Sequence, residues 1–269
     1  MTMSYPEQTV NSYTIAVDIG NTNTHIGLIK CATRSILSLD IFPSRQLDER
    51  FIVTIRSIVD SLQHAMPVPI VICSVIKSIE ERFGKELHDS STTPLVWLRY
   101  TAQLPLHIPY DDPLLLGADR IANMLYSSVV FAHENVIIID AGTTITVDYL
   151  QNGRDFIGGV ILPGPATQLK SLHASTDQLP QFEPGTVTAA SPGLSTETCM
   201  DIGVRYGIAG ALSLLVGKYS NLFNGPCRIL ATGGAWPYLK DAVTFEVKHI
   251  PELTMVGCAL YANVCNRPI

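Results

Sequence analysis

Two stretches of sequence decide the fold: DIGNTNTHIGL (Asp18–Leu28) near the start of the chain, and DAGTTITVDYL (Asp140–Leu150) in its second half. Aligned without gaps, they share Asp, Gly, two Thr and Leu at matching positions. Each follows a run of apolar and β-branched residues, YTIAV and NVIIID, which is typical of a buried strand. The sequence therefore predicts two strands that each end in an acidic residue and a glycine-containing turn.

These turns carry the groups that a nucleotide's phosphates need. A strand that ends in Asp-x-Gly-[Asn/Thr]-Thr brings a carboxylate, an open backbone and hydroxyl groups to one place. Such groups suit phosphates together with their metal ion. A single turn rich in Gly and Asn also occurs in proteins without any binding function. The interpretation as a phosphate site therefore depends on the presence of two such turns. It predicts a duplicated fold whose halves hold one polyphosphate between them.

Composition limits the other classes of function. Apolar residues make up 46% of the 269 residues and charged residues 16%, which is enough for one large core or two ordinary ones. The net charge of −6 argues against a nucleic-acid partner, because binding to nucleic acid depends on neutralising phosphates with basic residues. A bound polyanion would have to be held locally, by backbone amides, a metal ion and one or two bases.

Cysteine spacing and the N-terminal residues bear on localisation. The six cysteines form no CxxC pair and have no zinc-type spacing with histidine, so we expect buried free thiols in a reducing cytoplasm. The first residues are polar and do not resemble a secretory signal. No segment approaches the about 18 to 20 apolar residues that span a bilayer. These features predict a cytoplasmic protein without a membrane partner.

Strands and helices alternate along the chain, which predicts the α/β class. Helical spacing of apolar residues predicts helices at 49–65, 78–89, 118–132, 167–175, 200–220 and 254–264. Apolar and β-branched runs predict strands between residues 13 and 39 and at PVPIVICSV, PLVWLRY, VIIID, TVDYL and RILATGGA. We expect a loop at 179–195, and glycine turns at GGVILPG (158–164) and ATGGA (231–235), the second open enough for adenosine to lie against its backbone.

The sequence GADR (Gly117–Arg120) begins the helix predicted at 118–132. Asp119 and Arg120 could simply be favourable first-turn residues. They also suit an acceptor site, because a carboxylate can take a proton from a hydroxyl while a guanidinium binds a substrate anion. No nucleophile elbow, P-loop or GxGxxG fingerprint occurs, which removes the commonest hydrolase, P-loop and Rossmann interpretations.

The order of these motifs resembles one family. The chain resembles the type III pantothenate kinases of the acetate kinase/sugar kinase/Hsp70/actin superfamily from about Ile15 to Asn263. The motifs that carry this resemblance are, in order, DxGNT, YxxP, GADR, DxGTT, GGxxxPG and ATGG. The resemblance implies two ribonuclease-H-like (actin-like ATPase) domains, 1–115 and 116–269, with mixed five-stranded sheets flanked by helices. It also implies ATP-dependent phosphorylation of pantothenate to 4'-phosphopantothenate, by a cytoplasmic homodimer with its active site at the interface.

The resemblance also implies roles for individual residues. Asp119 would be the catalytic proton acceptor. ATP would be bound by Asp18, Ile19, Gly20, Asn21, Thr22, Asn23, Thr24, His25 and Thr143. Pantothenate would be bound by Tyr110, Gly117, Ala118, Asp119, Arg120 and Thr196. Asp140 would be the ligand of a monovalent cation, potassium or ammonium, and Mg²⁺ would accompany ATP. The chain departs from the family at Gly193-Leu194-Ser195-Thr196, where Gly-Lys-Asn-Thr is usual.

Two alternatives stay open. A kinase of the same superfamily could act on a sugar or a carboxylate, although the GADR motif speaks against this. A relative that kept the fold could serve a regulatory role without catalysis, and the presence of Asp18 and Asp119 speaks against that. For His25, beside the first turn, the sequence favours a structural role.

Overall fold

The computed structural model describes residues 12–47, 49–62, 68–79, 81, 95–187 and 192–265, and the chain forms two compact units. The first unit comprises residues 1–126 and 252–269, and the second comprises residues 127–251. This division differs from the boundary predicted between residues 115 and 116. It differs because the C-terminal segment packs with the N-terminal sheet rather than with the sheet that precedes it in the chain.

The sheet of the first unit has five strands in the order β3-β2-β1-β4-β5. Their bounds are β1 (Tyr13–Ile19), β2 (Asn23–Lys30), β3 (Ser35–Pro43), β4 (Ile70–Ser74) and β5 (Leu95–Trp97). β1, β2 and β3 are antiparallel neighbours, whereas β4 and β5 continue the sheet in parallel with β1. Alternate apolar residues of β1, β2 and β4 point to one face of the sheet, where they form a core.

Among the described residues, three helices whose bounds are defined belong wholly or partly to this unit. Helix α1 (Glu49–Ser61) contributes Phe51 and Ile55 to the core, because its apolar residues recur at helical spacing. Helix α2 (Ala118–Val130) begins at the GADR motif, as predicted. The C-terminal helix α6 (Leu253–Cys265) packs against β1, β2 and β4.

The sheet of the second unit has the order β10-β9-β6-β7-β8. Its strands are β6 (Asn135–Ala141), β7 (Thr144–Gln151), β8 (Asp155–Pro163), β9 (Cys227–Thr232) and β10 (Lys248–His249). Its helices are α3 (Pro165–Ala174), α4 (Thr196–Ser220) and α5 (Trp236–Leu239). One core joins apolar residues of the sheet to buried residues of all three helices, among them Leu169, Leu212 and Trp236.

The two sheets share one topology, which confirms the predicted duplication. In each sheet three antiparallel strands are followed by two parallel ones. Asp18 and Asp140 occupy matching positions near the ends of β1 and β6. Their neighbours on the adjacent parallel strands are Cys73 and Thr232.

The turns after these acidic residues differ in length by one residue. Ile19 pairs with Thr24 across the first turn, whereas Ala141 pairs with Ile145 across the second. The ungapped alignment of the two sequence stretches is therefore correct up to the turn and wrong after it. Beyond the turn, each residue of β2 corresponds to a residue of β7 one position earlier than that alignment gives.

The expected glycine turn at 158–164 is wrong, because Asp155–Pro163 forms strand β8. Antiparallel pairing with β7 extends from Gln151 and Asp155 to Thr144 and Pro163. That ladder holds the two glycines within a strand, where an irregularity of register lies beside Gly158, whose positive φ glycine adopts readily. The predicted helix at 78–89 lies largely outside the described residues, as does the end of the helix predicted at 49–65.

Helix α4 corrects two expectations. It begins at Thr196 rather than at Met200. It is also long and apolar enough, by length and composition, to cross a membrane, contrary to the expectation that no segment comes near this limit. The core helix of a soluble protein has the same properties. Here Val204, Ile208 and Leu212 pack into the core of the second unit, so the apolar composition has a structural role within the fold.

Among the five cysteines whose side chains the structure describes, three are buried as expected, one is half-buried and one is exposed, and Cys265 lies outside this set. Cys31, Cys73 and Cys258 are buried free thiols, and Cys227 is half-buried. Cys199 is exposed, because it lies in the first turn of α4 on the side away from the core.

Candidate active site

The first predicted phosphate-binding turn connects β1 to β2. Gly20 closes it with a backbone hydrogen bond, donated to the carbonyl oxygen of Asn23 at 3.0 Å. Asn21, Thr22 and Asn23 are exposed, so their polar groups are accessible to a ligand. Asp18 lies just before the turn with its side chain 21% exposed. The turn thus presents a carboxylate and a row of polar groups on one side of the unit.

His25 faces Asp18 across the β1–β2 ladder. Nδ1 of His25 lies 3.9 Å from Oδ2 of Asp18, a distance at which a charged imidazole would form an ion pair. Burial, however, lowers the pKa of His25 from 6.5. The imidazole is therefore neutral at pH 7, and its contact with Asp18 is polar rather than ionic.

Two other residues of the predicted ATP-binding stretch point into the protein. Ile19 is buried in the core. Thr24 is also buried, and its Oγ1 lies 2.9 Å from Oγ of Ser44 in a hydrogen bond between the two hydroxyls. The backbone N–H of Ser44 also donates to the carbonyl oxygen of Thr22 at 2.9 Å. The side chains of Ile19 and Thr24 thus support the turn from within, and Ser44 is a supporting residue that the sequence analysis missed.

Two buried thiols, Cys73 and Cys258, lie near both the first turn and the GADR motif. Cys73 of β4 is the register neighbour of Asp18, and it is hydrogen-bonded to Cys258 of helix α6. That hydrogen bond and burial raise the pKa of the Cys73 thiol, and the charges of Asp18 and Asp119 raise it further. Asp18 and Asp119 therefore both lie close enough to this thiol to act on it electrostatically.

In the GADR motif, the carboxylate of Asp119 binds the backbone at the start of helix α2. Oδ1 of Asp119 accepts a hydrogen bond from the backbone N–H of Arg120 at 2.8 Å. A Cβ atom on Gly117 would clash with the same oxygen, so glycine is required there for this side-chain position. Burial raises the pKa of Asp119 above 3.8, although the hydrogen bond and the Arg120 charge act in the opposite direction.

The predicted pantothenate-binding residues of this unit differ in exposure. Tyr110 is 39% exposed, whereas Arg120 is only 6% exposed. Ala118 is also buried, at the start of α2. The positive charge of Arg120 is close enough to Asp119 to lower the pKa of that carboxyl.

The second predicted turn lies in the other unit, between β6 and β7. Gly142 closes it by donating its N–H to the carbonyl oxygen of Thr144 at 2.9 Å. The carbonyl oxygen of Thr143 accepts from the N–H of Gly164 at 2.9 Å and from Oγ1 of Thr167 at 2.6 Å. The side chain of Thr143 stays exposed, and Asp140 is half-buried just before the turn.

Two glycines allow other segments to lie directly against this second turn. A Cβ atom on Gly164 would clash with the backbone of residues 142–143, and one on Gly233 would clash with Ala141. The N–H of Ala235 donates to the carbonyl oxygen of Ala141 at 2.8 Å. The predicted ATGGA turn is thus confirmed, and it lies beside Asp140. Gly164 and Thr167 were missed as supports, although glycine followed by proline at a helix start is a recognisable signal.

Thr196 is the exposed first residue of helix α4. Ser195 caps this helix: its Oγ accepts from the N–H of Thr198 at 3.2 Å, and Oγ1 of Thr198 accepts from the N–H of Ser195 at 2.9 Å. Serine and asparagine are both good N-cap residues, so the replacement of the usual Asn by Ser195 preserves the start of the helix. Leu194, in place of the usual Lys, is 96% exposed.

Within the first unit, the structure therefore brings Asp18, His25 and Asp119 to one region around Cys73. The second unit holds Asp140, Thr143 and Thr196. Among the described residues, no group of three or more acidic, histidine or cysteine side chains could hold a metal ion. A cation at Asp140 would consequently need further oxygen ligands from the backbone, water or a bound ligand, a donor set that hard cations accept.

Comparisons with known proteins give one consistent family. A model of the family "Type III pantothenate kinase" matches residues 14–218. The type III pantothenate kinase of Chlorobium luteolum is 32% identical over 210 residues, which cover 76% of this chain and 77% of that protein. The one from Chlorobium chlorochromatii is 26% identical over 251 residues, which cover 90% of this chain and 91% of that protein.

Solved structures confirm the predicted fold. A conserved protein from Campylobacter jejuni, titled a Baf family transcriptional activator, has a TM-score of 0.57 at 19% identity, covering 93% of this chain and 98% of its own. An inorganic polyphosphate/ATP-glucomannokinase from Arthrobacter sp. strain KM has a TM-score of 0.50 at 14% identity, covering 95% and 100%. At these identities the likeness shows the fold alone, which is two mixed five-stranded sheets flanked by helices.

Proposed function

Because the chain belongs to the type III pantothenate kinase family, we propose that it transfers a phosphoryl group from ATP to the hydroxyl group of pantothenate. The product would be 4'-phosphopantothenate, and the reaction the first step of coenzyme A synthesis. The family match over residues 14–218 carries this proposal, because that range contains all the residues predicted to bind ATP, pantothenate or the cation, from Asp18 to Thr196.

Asp119 is the base in this proposal. The pantothenate oxygen forms a bond to the γ-phosphorus as the bond from that phosphorus to the bridging oxygen breaks, and ADP leaves. The proton of the hydroxyl passes to the carboxylate of Asp119. Burial supports this role, because it raises the pKa of Asp119 and so makes the carboxylate a better proton acceptor.

The two turns hold the phosphates in this proposal. Asn21, Thr22 and Asn23 supply exposed polar groups from the first turn, and Thr143 supplies an exposed hydroxyl from the second. Positioning and charge neutralisation are the main requirements of phosphoryl transfer. Magnesium accompanies ATP and neutralises phosphate charge, and Asp18 is the carboxylate of the first turn that would interact with it.

Asp140 holds a monovalent cation, potassium or ammonium, in this proposal. Such a cation offsets phosphate charge, which matters in a chain of net charge −6. Tyr110 and Thr196 are exposed and would contact pantothenate directly. Arg120 would attract the pantothenate carboxylate, since its charge is always present. Gly117 and Ala118 would position these groups at the start of α2.

We further propose that the enzyme is a cytoplasmic homodimer whose active sites lie at the subunit interface. The support is the family membership rather than a feature of the single chain. Light scattering coupled to size exclusion would measure twice the chain mass of 29.3 kDa if the proposal holds. A monomer with full activity would contradict it.

The decisive experiment is an assay of ADP release with and without pantothenate. We expect release to require pantothenate and to fall when potassium is replaced by sodium. A panel of sugars and carboxylates in place of pantothenate tests the neighbouring kinase classes. Nucleotide binding without pantothenate-dependent ADP release would instead support a regulatory protein that kept the fold.

A further inference from the structure

Helix α4 carries a buried carboxylate that accepts a hydrogen bond from a neighbouring loop, and the catalytic roles proposed above do not use this contact. Asp201 is 3% exposed, five positions after Thr196 on the same helix. Its Oδ1 accepts a hydrogen bond from the backbone N–H of Gly185 at 3.0 Å. Gly185 belongs to the loop of residues 175–187, which follows helix α3 and precedes helix α4 in the sequence. The carboxylate therefore ties the loop to the helix that carries Thr196.

The same carboxylate is bound by a residue of helix α5. The hydroxyl group of Tyr238 lies 3.1 Å from Oδ1 of Asp201 and 2.8 Å from its carbonyl oxygen. The guanidinium of Arg205 lies over the Tyr238 ring, 5.7 Å from its centre, and 3.9 Å from the exposed carboxylate of Asp241. Burial and the charge of Asp201 raise the pKa of Tyr238, so its hydroxyl keeps its proton and remains a donor.

These contacts join the loop to the second phosphate-binding turn. Tyr238 follows Ala235 by three residues in a short helix, and the N–H of Ala235 donates to the carbonyl oxygen of Ala141. One route therefore runs from the Asp140 turn through Tyr238 to Asp201. From Asp201 it reaches the loop at Gly185 through a hydrogen bond, and Thr196 lies five positions earlier on the same helix.

We propose that Asp201 is a positioning residue for pantothenate, which holds the loop of residues 175–187 and helix α4 with Thr196 in the arrangement that binds the substrate. This rests on the proposed function, in which Thr196 contacts pantothenate. Asp201 is almost completely buried, so in this proposal its effect on pantothenate binding passes through Gly185 and Tyr238. The loop has no helix or strand within its described residues, and such segments depend on individual hydrogen bonds for their conformation.

The proposal predicts a selective kinetic effect. Removing the carboxylate leaves the N–H of Gly185 and the hydroxyl of Tyr238 without this acceptor, and the loop then samples other conformations. Because only part of the population is competent to bind, the KM for pantothenate should rise about tenfold, while kcat and the KM for ATP should stay within about twofold.

The test compares Asp201→Ala with Asp201→Asn and Tyr238→Phe in the full chain. Asp201→Asn keeps an oxygen that can accept from Gly185, so it should retain most of the affinity for pantothenate that Asp201→Ala loses. Asp201→Ala and Tyr238→Phe should combine less than additively, since both remove one interaction. Glu246→Gln is the matched control, because that carboxylate is exposed in the same unit and takes no part in the contacts described above; its KM for pantothenate should be unchanged.

A second readout does not depend on activity. Hydrogen exchange at the Gly185 amide should be faster in Asp201→Ala and close to wild type in Asp201→Asn, when each protein is measured well below its thermal midpoint. A wild-type KM for pantothenate in Asp201→Ala, or equal losses in kcat and both KM values, would overturn the proposal. If the wild type shows no pantothenate-dependent ADP release, the proposed function fails, and unchanged Gly185 exchange in Asp201→Ala would separately refute the anchoring role.

Discussion

At the scale of single residues, Asp119 is a carboxylate whose burial disfavours its charged form. Burial raises its pKa, and the backbone N–H and charge of Arg120 limit the rise. A general base is most effective when its pKa approaches the working pH. The raised pKa therefore makes Asp119 a better proton acceptor than an exposed aspartate would be. The position of the side chain depends on Gly117, which leaves room for Oδ1.

Asp119→Asn tests the base directly. The amide keeps the shape of the side chain but cannot accept the proton of a hydroxyl during transfer. We expect kcat with saturating pantothenate to fall by about 10²- to 10⁴-fold, with the KM for ATP little changed. Steady-state ADP release measures both constants.

Asp60→Asn is the control for this change, because Asp60 is exposed on helix α1 of the same unit. It should keep wild-type rates. Near-normal turnover by a folded Asp119→Asn protein would rule out Asp119 as the base.

The same residue predicts a pH-dependent difference in stability. A pKa raised in the folded state means that protonated Asp119 favours folding, so its contribution is present below pH 3.8 and lost as the pH rises through the folded-state pKa. Asp119→Asn removes this dependence. The unfolding free energy of the variant, relative to wild type, should therefore increase as the pH is raised from acid to neutral. Urea unfolding at several pH values measures it, and a difference independent of pH would contradict the prediction.

At the scale of elements, helices α2 and α6 pack closely, and this contact sets the position of the GADR motif. A Cβ atom on Gly257 would clash with the backbone of Ala122. Beside this contact, Oγ1 of Thr254 donates to Oδ1 of Asn123 at 2.8 Å in a buried hydrogen bond. Since α6 also packs on β1 and β4, it connects the helix of Asp119 to the strands of the first turn.

Gly257→Ala should therefore destabilise the protein, although alanine is the better helix former. We expect a loss of about 1 to 3 kcal/mol from overpacking, measured by urea unfolding, and a lower kcat because α2 is displaced. Gly217→Ala in helix α4 is the matched control, since nothing lies within 4 Å of the added Cβ atom. It should stabilise by about 0.5 to 1 kcal/mol. Equal effects of the two substitutions would show that the α2–α6 contact can relax.

The β-bulges show the duplication at the same scale. The first lies between Leu28 and Ile29 of β2, and the second between Tyr149 and Leu150 of β7. Once the extra residue of the first turn is allowed for, the two bulges coincide. The repeat therefore extends through three strands of each sheet, well past the turns that the sequence comparison identified.

At the scale of the whole molecule, the chain completes its second unit before it returns to the first. Helix α6 closes the first unit from the C-terminal end of the sequence, with Leu253, Val256 and Cys258 buried. The second unit is continuous, from residue 127 to residue 251. The two units therefore differ in how they depend on the C-terminal segment.

Truncation after Pro251 should unfold the first unit and spare the second. Without α6, the sheet face that carries Cys73 loses its apolar cover, whereas the core of the second unit keeps all of its residues. Hydrogen exchange followed by mass spectrometry should show β1 and β4 unprotected, with β6 and β9 protected. Retained protection of β1 and β4 would show that the first unit folds without its last helix.

Local signals in the sequence were sufficient for much of this protein. The acidic strand ends at Asp18 and Asp140, the helix start at GADR and the ATGGA turn depend on neighbours in the chain. Turn chemistry and helix starts act over a few residues, so they can be recognised in one sequence. The order of these motifs also identified the family and the fold that comparison then confirmed.

The remaining features depend on residues that are far apart in the chain, and only the tertiary structure decided them. Pairing with β7 made a strand of the expected turn at 158–164, and the exact register revealed the extra residue after Asp18. The thiol pair of Cys73 and Cys258, the return of α6 and the partners of Asp201 join distant segments. No periodicity in a single sequence encodes such pairs, because they form only when burial of the two cores brings those segments together.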